Sequence, residues 1–285
     1  MPDLKTMDDV VSADVPVLEG AEAVAPDALF ADGVRDENAF GGALGLRKGP
    51  AFTDSERDRM KEMIKAHLVD TAKGFSADAA AEVRAVDLEL YHEISDRLDH
   101  RQLLSKKGRI MTDEAVQEMK GMSFFDYARK AFGADHYLSD EEGIGHEQVC
   151  LRVVRPNVRE DVGSLHADHW FWEHYDWAPP PGEGRTKMWM GVCVDGVQNG
   201  LRLAPGSHRE NRPYRVVRDG HKIAFAPDFD LNTLDLRVFD AKPGEPILFN
   251  YRTLHVGTFN TAPTTRVSVE ITFMYKEDQQ ARSAA

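Results

Sequence analysis

His166 and Asp168, one residue apart and answered far downstream by His255, are the side chains here whose types and spacing can do chemistry. Two imidazoles and a carboxylate can hold Fe(II) on one face of an octahedron, leaving the opposite positions open for a cosubstrate and O2. Arg266 follows a short turn beyond the second histidine, where a guanidinium is suited to grip a dicarboxylate through paired hydrogen bonds. Residues two apart on a strand share a face, so a strand through this segment would aim His166 and Asp168 into one interior and turn Ala167 away. With 11 histidines in the chain, an HxD pair alone is weak evidence; the four residues together single out the site.

The segment carrying Arg266 alternates almost strictly, with Val267, Val269, Ile271 and Phe273 on one face and Arg266 and Ser268 on the other. If the apolar face packs against outer helices, the polar face lines an interior, and a buried arginine there needs an anionic partner. A bound dicarboxylate supplies one, with Ser268 adding a hydroxyl donor. Gln148 and Arg152 lie two pleats apart on an earlier strand and face the same way, within reach of cosubstrate or substrate; Lys187 and Trp189 share a face of the next. His169 has the wrong strand parity for a fourth ligand and reads as a packed neighbour of the ligands. Trp170, Phe171, Trp172, Tyr175 and Trp177 are either a substrate wall or ordinary aromatic packing. His208, after a Pro-Gly turn, reads as a turn residue, and Arg209, Arg212, Arg215 and Arg218 as a solvated loop.

These groups must be positioned by a chain that changes character midway. Residues 1–50 are acidic and weakly periodic. They form an arm that orders only by packing on the body or on a neighbouring subunit, which leaves a homo-oligomer open. Thr53 with Glu56 makes a capping box ahead of a stripe formed by Met60, Met63, Ile64 and Leu68. Ser76 caps a second helix whose stripe runs Val83, Val86, Leu90, Ile94 and Leu98, and Thr112 a third reaching Phe132. From about residue 147 the signals become strand-like: 148–154, 187–194, 246–259 and 266–276, separated by turn dipeptides. Strands that recur without intervening helices favour an α+β protein with a double-stranded β-helix core, a cupin-like jelly roll, braced by the N-terminal helices. A single domain over 51–276 is expected, followed by a polar tail, 277–285.

The net charge of −13 argues against nucleic acid or an anionic membrane as main partner. Two isolated cysteines, Cys150 and Cys193, point to a reducing compartment. With no basic, apolar leader and no apolar stretch long enough to span a bilayer, the expected location is the cytoplasm.

The segments Leu165–Asp168, Asn199-Gly200-Leu201-Arg202-Leu203-Ala204-Pro205-Gly206-Ser207-His208 and Gly244 to Arg266 resemble, in order, the phytanoyl-CoA dioxygenase-like family of Fe(II)/2-oxoglutarate oxygenases. The likeness covers about the last two fifths of the chain, and the NGxLxxxPGSH-like stretch is its most specific part. It implies that His166, Asp168 and His255 ligate iron and that Arg266 binds the C5 carboxylate of 2-oxoglutarate. Glu245 and Gly257 depart mildly from the family pattern; at 257 some members carry a cosubstrate-binding hydroxyl, whose place Ser268 can take. Relatives that halogenate lack the carboxylate present here as Asp168, so the resemblance favours hydroxylation of an unactivated C–H in a small or medium polar metabolite. O2 is consumed, and succinate and CO2 are coproducts. Two alternatives share parts of this pattern. One is a cupin-like metalloenzyme working without 2-oxoglutarate, such as an isomerase or another dioxygenase; the other is a non-catalytic jelly-roll binding protein.

Overall fold

The capping box at Thr53 forms as its sequence directs. Thr53 Oγ1 accepts from the Glu56 amide at 3.2 Å and Glu56 reaches back to the Thr53 amide at 2.9 Å. The computed structural model describes residues 17–18, 44–177, 179–219 and 222–276. Helix α1 (Asp54–Lys73) buries Met60, Met63, Ile64 and Leu68, the stripe expected. Glu56 also accepts from the amide and hydroxyl of Ser123, tying the far end of the helical region to its start.

The other two helices are shorter than their stripes suggest. Helix α2 (Ala77–Ala85) stops at Val86, which is extended, and Leu88–Glu93 winds as a 3-10 helix. Leu88, Tyr91 and Ile94 are buried while Leu90 is exposed. That spacing of three is the 3-10 repeat, and Val86 and Asp87 are poor helix residues at the break. After a single turn, α3 (His100–Leu103), the third expected helix is divided at Gly121 into α4 (Asp113–Lys120) and α5 (Ser123–Phe132).

Two β-sheets follow. The strands are β1 (Val17–Leu18), β2 (Leu46–Lys48), β3 (Tyr137–Leu138), β4 (Cys150–Val154), β5 (Glu183–Cys193), β6 (Leu201–Leu203), β7 (Tyr214–Asp219), β8 (Lys222–Pro227), β9 (Arg237–Phe239), β10 (Pro246–Asn250), β11 (His255–Gly257) and β12 (Arg266–Lys276). The larger sheet runs β2-β10-β5-β12-β3, with β4 also on β12, and all its pairings are antiparallel. The smaller runs β1-β9-β6-β11, antiparallel except for β1 on β9. β7 and β8 form a separate hairpin. Most of the expected arm lies outside the described residues, but its end, β2, is an edge strand of the larger sheet.

The run 246–259 is broken because Asn250 Oδ1 accepts from the Arg252 amide at 2.9 Å, an Asx turn that carries the chain from the larger sheet to the smaller. The outward face of the larger sheet (Val267, Val269, Ile271, Phe273, Met188 and Met190 among others) joins the core formed with the helices. Its inward face has two ends. At one, Trp189 packs with Leu201, Leu203, Phe239, Ile247 and Phe249 in a dry cluster; the other end is polar. Two short helices complete the body, α6 (Asp168–His174) and α7 (Gly196–Asn199).

Candidate functional site

His166, Asp168 and His255 each offer a ligand atom, and these atoms all lie within 4.8 Å of one another. His166 and His255 face each other across an isolated bridge: the His166 amide donates to the His255 carbonyl at 3.1 Å and the reverse bond is 2.8 Å. Asp168 is not on a strand, as the parity argument assumed, but opens helix α6. The chain turns at Ala167 instead of continuing extended, and the carboxylate still reaches the imidazoles, with Oδ1 3.8 Å from His166 Nε2 and Oδ2 3.8 Å from His255 Nε2.

His166 Nδ1 bonds the Ser164 carbonyl at 2.7 Å and His255 Nδ1 the Thr253 carbonyl at 2.9 Å. A carbonyl can only accept, so each Nδ1 carries the proton and each Nε2 presents its lone pair to the centre. Burial pushes the His166 imidazole down to about 4, with the neighbouring His255 acting the same way. Burial works to raise the Asp168 carboxyl, but the Lys187 ammonium and then the two histidines hold it below the usual carboxylate range. Asp168 Oδ2 is buried and accepts no hydrogen bond among the described residues. Two imidazoles with Nε2 turned to the centre and a carboxylate with an orphaned oxygen are the donor set a divalent cation requires, so these residues fit iron.

Arg266 is 3% exposed. Its Nη1 donates to the carbonyls of Asn199 and Gly200, both at 2.9 Å, which fixes the guanidinium plane, and its buried Nε has no acceptor among the described residues. A side chain at Gly257 would place Cβ 2.9 Å from Nη2, so the glycine there makes room for the guanidinium. Burial pulls the Arg266 guanidinium down to about 10, so it remains a cation at neutral pH. Ser268, two residues on, is fully buried and its Oγ has no partner among the described residues. Two orphaned donor groups on one strand face suit a carboxylate. The Asn199–His208 stretch proves to be their scaffold. Its first two carbonyls hold Arg266, β6 pairs with the His255 strand, and Ser207 Oγ accepts from the Leu254 amide at 2.9 Å.

A cavity of about 370 Å³ opens beside the triad. One wall is the inward face of β4, β5 and β12, bearing Arg152, Lys187, Glu270 and Thr272; loops supply Arg109, Glu141 and Gln148; and Phe171, Trp172, Tyr175 and Trp177 form the aromatic side. Lys187 donates to Thr272 at 2.9 Å and lies 3.7 Å from Glu141. Burial works to lower the Lys187 ammonium, but Asp168, Glu141 and Glu270 more than offset this and raise it. Arg152 pairs with Glu270 at 3.1 Å, and Gln148 donates to Asp140.

A sequence model of the family described as "Phytanoyl-CoA dioxygenase (PhyH)" matches residues 42–268. The chain belongs to this family. Among solved structures, EctD from S. alaskensis in its apoform superposes with a TM-score of 0.55 at 18% identity, over 93% of this chain and 86% of that one. A structure of EctD with bound Fe matches at 0.47 and 16% identity, over 96% and 84%. EvdO2 from Micromonospora carbonacea var. aurantiaca complexed with 2-oxoglutarate matches at 0.47 and 14%, over 90% and 94%. The first of these superpositions shows a shared fold. No curated protein matches the sequence.

Within this PhyH-family chain the remaining expected residues divide. Gln148 and Arg152 both reach the cavity, already engaged with Asp140 and Glu270. Lys187 and Trp189 share a face yet part company, the lysine in the cavity and the tryptophan 2% exposed in the dry cluster. His169 is buried, packs on Trp170 and Tyr251, and is not part of the triad. Trp170 leaves the aromatic wall to stack on Tyr214. His208 fills the space over Gly45, a packing role. Arg212 pairs with Glu210 and lies over Phe229. Sequence reasoning missed Glu270, although it sits two residues beyond Ser268 on the polar face, and it missed Arg109 and Glu141, which come from loops with no periodic signal.

Proposed function

We propose that this chain is an Fe(II)/2-oxoglutarate-dependent dioxygenase that hydroxylates a C–H bond of a small or medium polar metabolite. The convergence of His166, Asp168 and His255, with the buried Arg266 guanidinium lying against Gly257 on the His255 strand, supports this reading. His166 and His255 would hold iron through Nε2 and Asp168 through its carboxylate. Arg266 and Ser268 would take the distal carboxylate of 2-oxoglutarate, with Arg152 and Gln148 in the adjoining wall. The bound iron, with 2-oxoglutarate and O2, supplies the oxidising power, and succinate and CO2 are the coproducts. The chain's own part is positional. The carbonyls of Ser164 and Thr253 keep the imidazoles in the ligating tautomer, Lys187 keeps Asp168 ionised, and the Phe171–Trp177 wall screens the centre from water.

The two sheets are read as the halves of a double-stranded β-helix, consistent with antiparallel pairing and the fold shared with EctD. A single domain over 51–276 with the β2 edge added, a cytoplasmic location, a small-molecule substrate in place of nucleic acid or membrane, and a homo-oligomer formed through the N-terminal arm complete the proposal. Among the described residues no helix is long and apolar enough to cross a membrane. A metalloenzyme that dispensed with 2-oxoglutarate would have no use for a cation fixed at Arg266, which is why that alternative is set aside. The test is incubation of the Fe(II)-loaded protein with 2-oxoglutarate and a metabolite library, with succinate as readout. Succinate formation, even uncoupled, is expected; stoichiometric iron uptake without any 2-oxoglutarate consumption would overturn the reading.

A further inference from the structure

The cavity wall contains four basic side chains, and three are matched by carboxylates. Arg152 pairs with Glu270 at 3.1 Å, Lys187 lies 3.7 Å from Glu141, and Lys106 contacts Glu142. The fourth, Arg109, makes no ion pair and no side-chain hydrogen bond among the described residues, although its side chain lines the cavity. It enters from the helical region, where the backbone at 109 and 110 bridges to β4: the Leu151 amide donates to the Arg109 carbonyl, and Ile110 bridges Cys150. This brings it close to Arg152, a second cation. Burial, reinforced by repulsion from Arg152, holds its guanidinium below the usual arginine value. The Glu270 carboxylate acts on it in the opposite sense but is already paired with Arg152, so an arginine drawn into a wall beside another arginine still favours an incoming anion.

Another part of the cavity lining is aromatic and partly open to solvent. Tyr175 and Trp177 stack on each other with centroids 4.9 Å apart, yet remain 42% and 39% exposed. Large rings left uncovered at a cavity mouth are a surface on which a flat or apolar body can lie.

We infer that Arg109 is the substrate's anion-binding group, and that the substrate carries a carboxylate or phosphate together with a flat or apolar body that rests on Tyr175 and Trp177. The inference builds on the oxygenase reading, since it assigns the substrate of that same cavity. Arg266 and Ser268 hold the cosubstrate in that reading, so the two anions have separate cations. Arg109 uses the bidentate geometry of a guanidinium, which a lysine reproduces only as a point charge.

The experiment uses the full chain loaded with Co(II) and saturated with 2-oxoglutarate, so that the cosubstrate position is filled and no turnover occurs. Fluorescence of Trp172 and Trp177 is followed while three probes are titrated: 3-phenylpropionate, phenethyl phosphate and the neutral 3-phenylpropionamide. At least one anionic probe should bind ~10-fold or more tightly than the amide, as expected for charge-assisted hydrogen bonds to a guanidinium, and whichever anion binds better identifies the group. Arg109→Gln should remove that preference while leaving the amide affinity unchanged, and Arg109→Lys should restore part of it. Trp177→Ala should weaken all three probes alike. Equal binding of acid, phosphate and amide by the wild type, or an undiminished anion preference in Arg109→Gln, overturns the assignment. Cobalt uptake, read from its visible absorption, separates the two failures. A chain that takes up no Co(II) fails the oxygenase reading, whereas normal uptake with an unchanged preference fails the Arg109 subsite alone.

Discussion

Strand β12 shows two different uses of one alternating pattern. Its outward residues, Val267, Val269, Ile271 and Phe273, are at most 1% exposed and lock the larger sheet to the helices. Phe273 stacks on Phe132 at 5.0 Å and meets Phe124 and Phe125 at 6.2 and 6.0 Å. Of its inward residues, Arg266, Ser268 and Thr272 are also buried and Glu270 is half-buried, but all four are polar, and two retain donors with no partner among the described residues. The outward face is satisfied by the protein itself. The inward face is satisfied only in part, and the shortfall is where a ligand's groups would be accepted. Burial alone therefore does not separate core from site; polar atoms left without partners do.

Substitutions on the two faces should separate stability from chemistry. The largest effect is expected at the triad that the inward face looks onto. Asp168→Ala should lose stoichiometric Fe(II) uptake and with it succinate formation, while its melting temperature as apoprotein stays near wild type; metal retention with normal turnover would break the contrast. Phe273→Ala should do the reverse, costing about 3–5 kcal/mol of stability by denaturant titration, with iron still bound at temperatures where the fold persists. Arg266→Ala is expected to raise the 2-oxoglutarate concentration needed for half-maximal succinate formation by roughly 100-fold, since a buried charge-assisted pair is removed, with little change in iron uptake. An unaltered 2-oxoglutarate requirement would mean that the inward arginine serves packing.

The smallest effect concerns acid stability. In the fold Glu270 is held at about 2: burial works to raise it, but Arg152 and then Lys187 prevail. Because this lies below the ordinary 4.5, the stabilisation is complete above pH 4.5 and is lost as pH falls toward 2. Glu270→Gln should therefore flatten the acid limb of the apoprotein's stability profile in that window; an acid limb identical to wild type would show that the carboxylate is not held by those cations.

Much of this was legible in the sequence because it depends on local rules. The period-two pattern from Arg266 to Phe273 defined β12 and its polar face, and the Thr53–Glu56 pair marked α1. The triad was visible as residue types, but the local geometry of Asp168 was not. Nothing in His-Ala-Asp says whether the chain continues extended or turns into a helix, and either path can deliver the carboxylate. The division at Gly121 had a visible cause, whereas the 3-10 segment from Leu88 to Glu93 arises because burial selects Leu88, Tyr91 and Ile94, a choice made by the surrounding core. Arg109 and Glu141 were invisible for a simpler reason: they reach the cavity from loops, where position follows from the path of the whole chain and leaves no periodic trace.

The reciprocal main-chain bonds between His166 and His255 have a consequence for metal choice. The span between the two imidazoles is set when one strand of the smaller sheet meets the segment opposite it, by amides and carbonyls that no ion needs to organise. A seat spaced in this way would admit Ni(II) more tightly than Fe(II) and Zn(II) as well, since imidazole and carboxylate donors bind all three and affinity rises from Fe(II) to Ni(II). Discrimination among them then falls to cellular supply and to which ion can cycle its oxidation state, so a purified sample can carry a full complement of metal and still be inert.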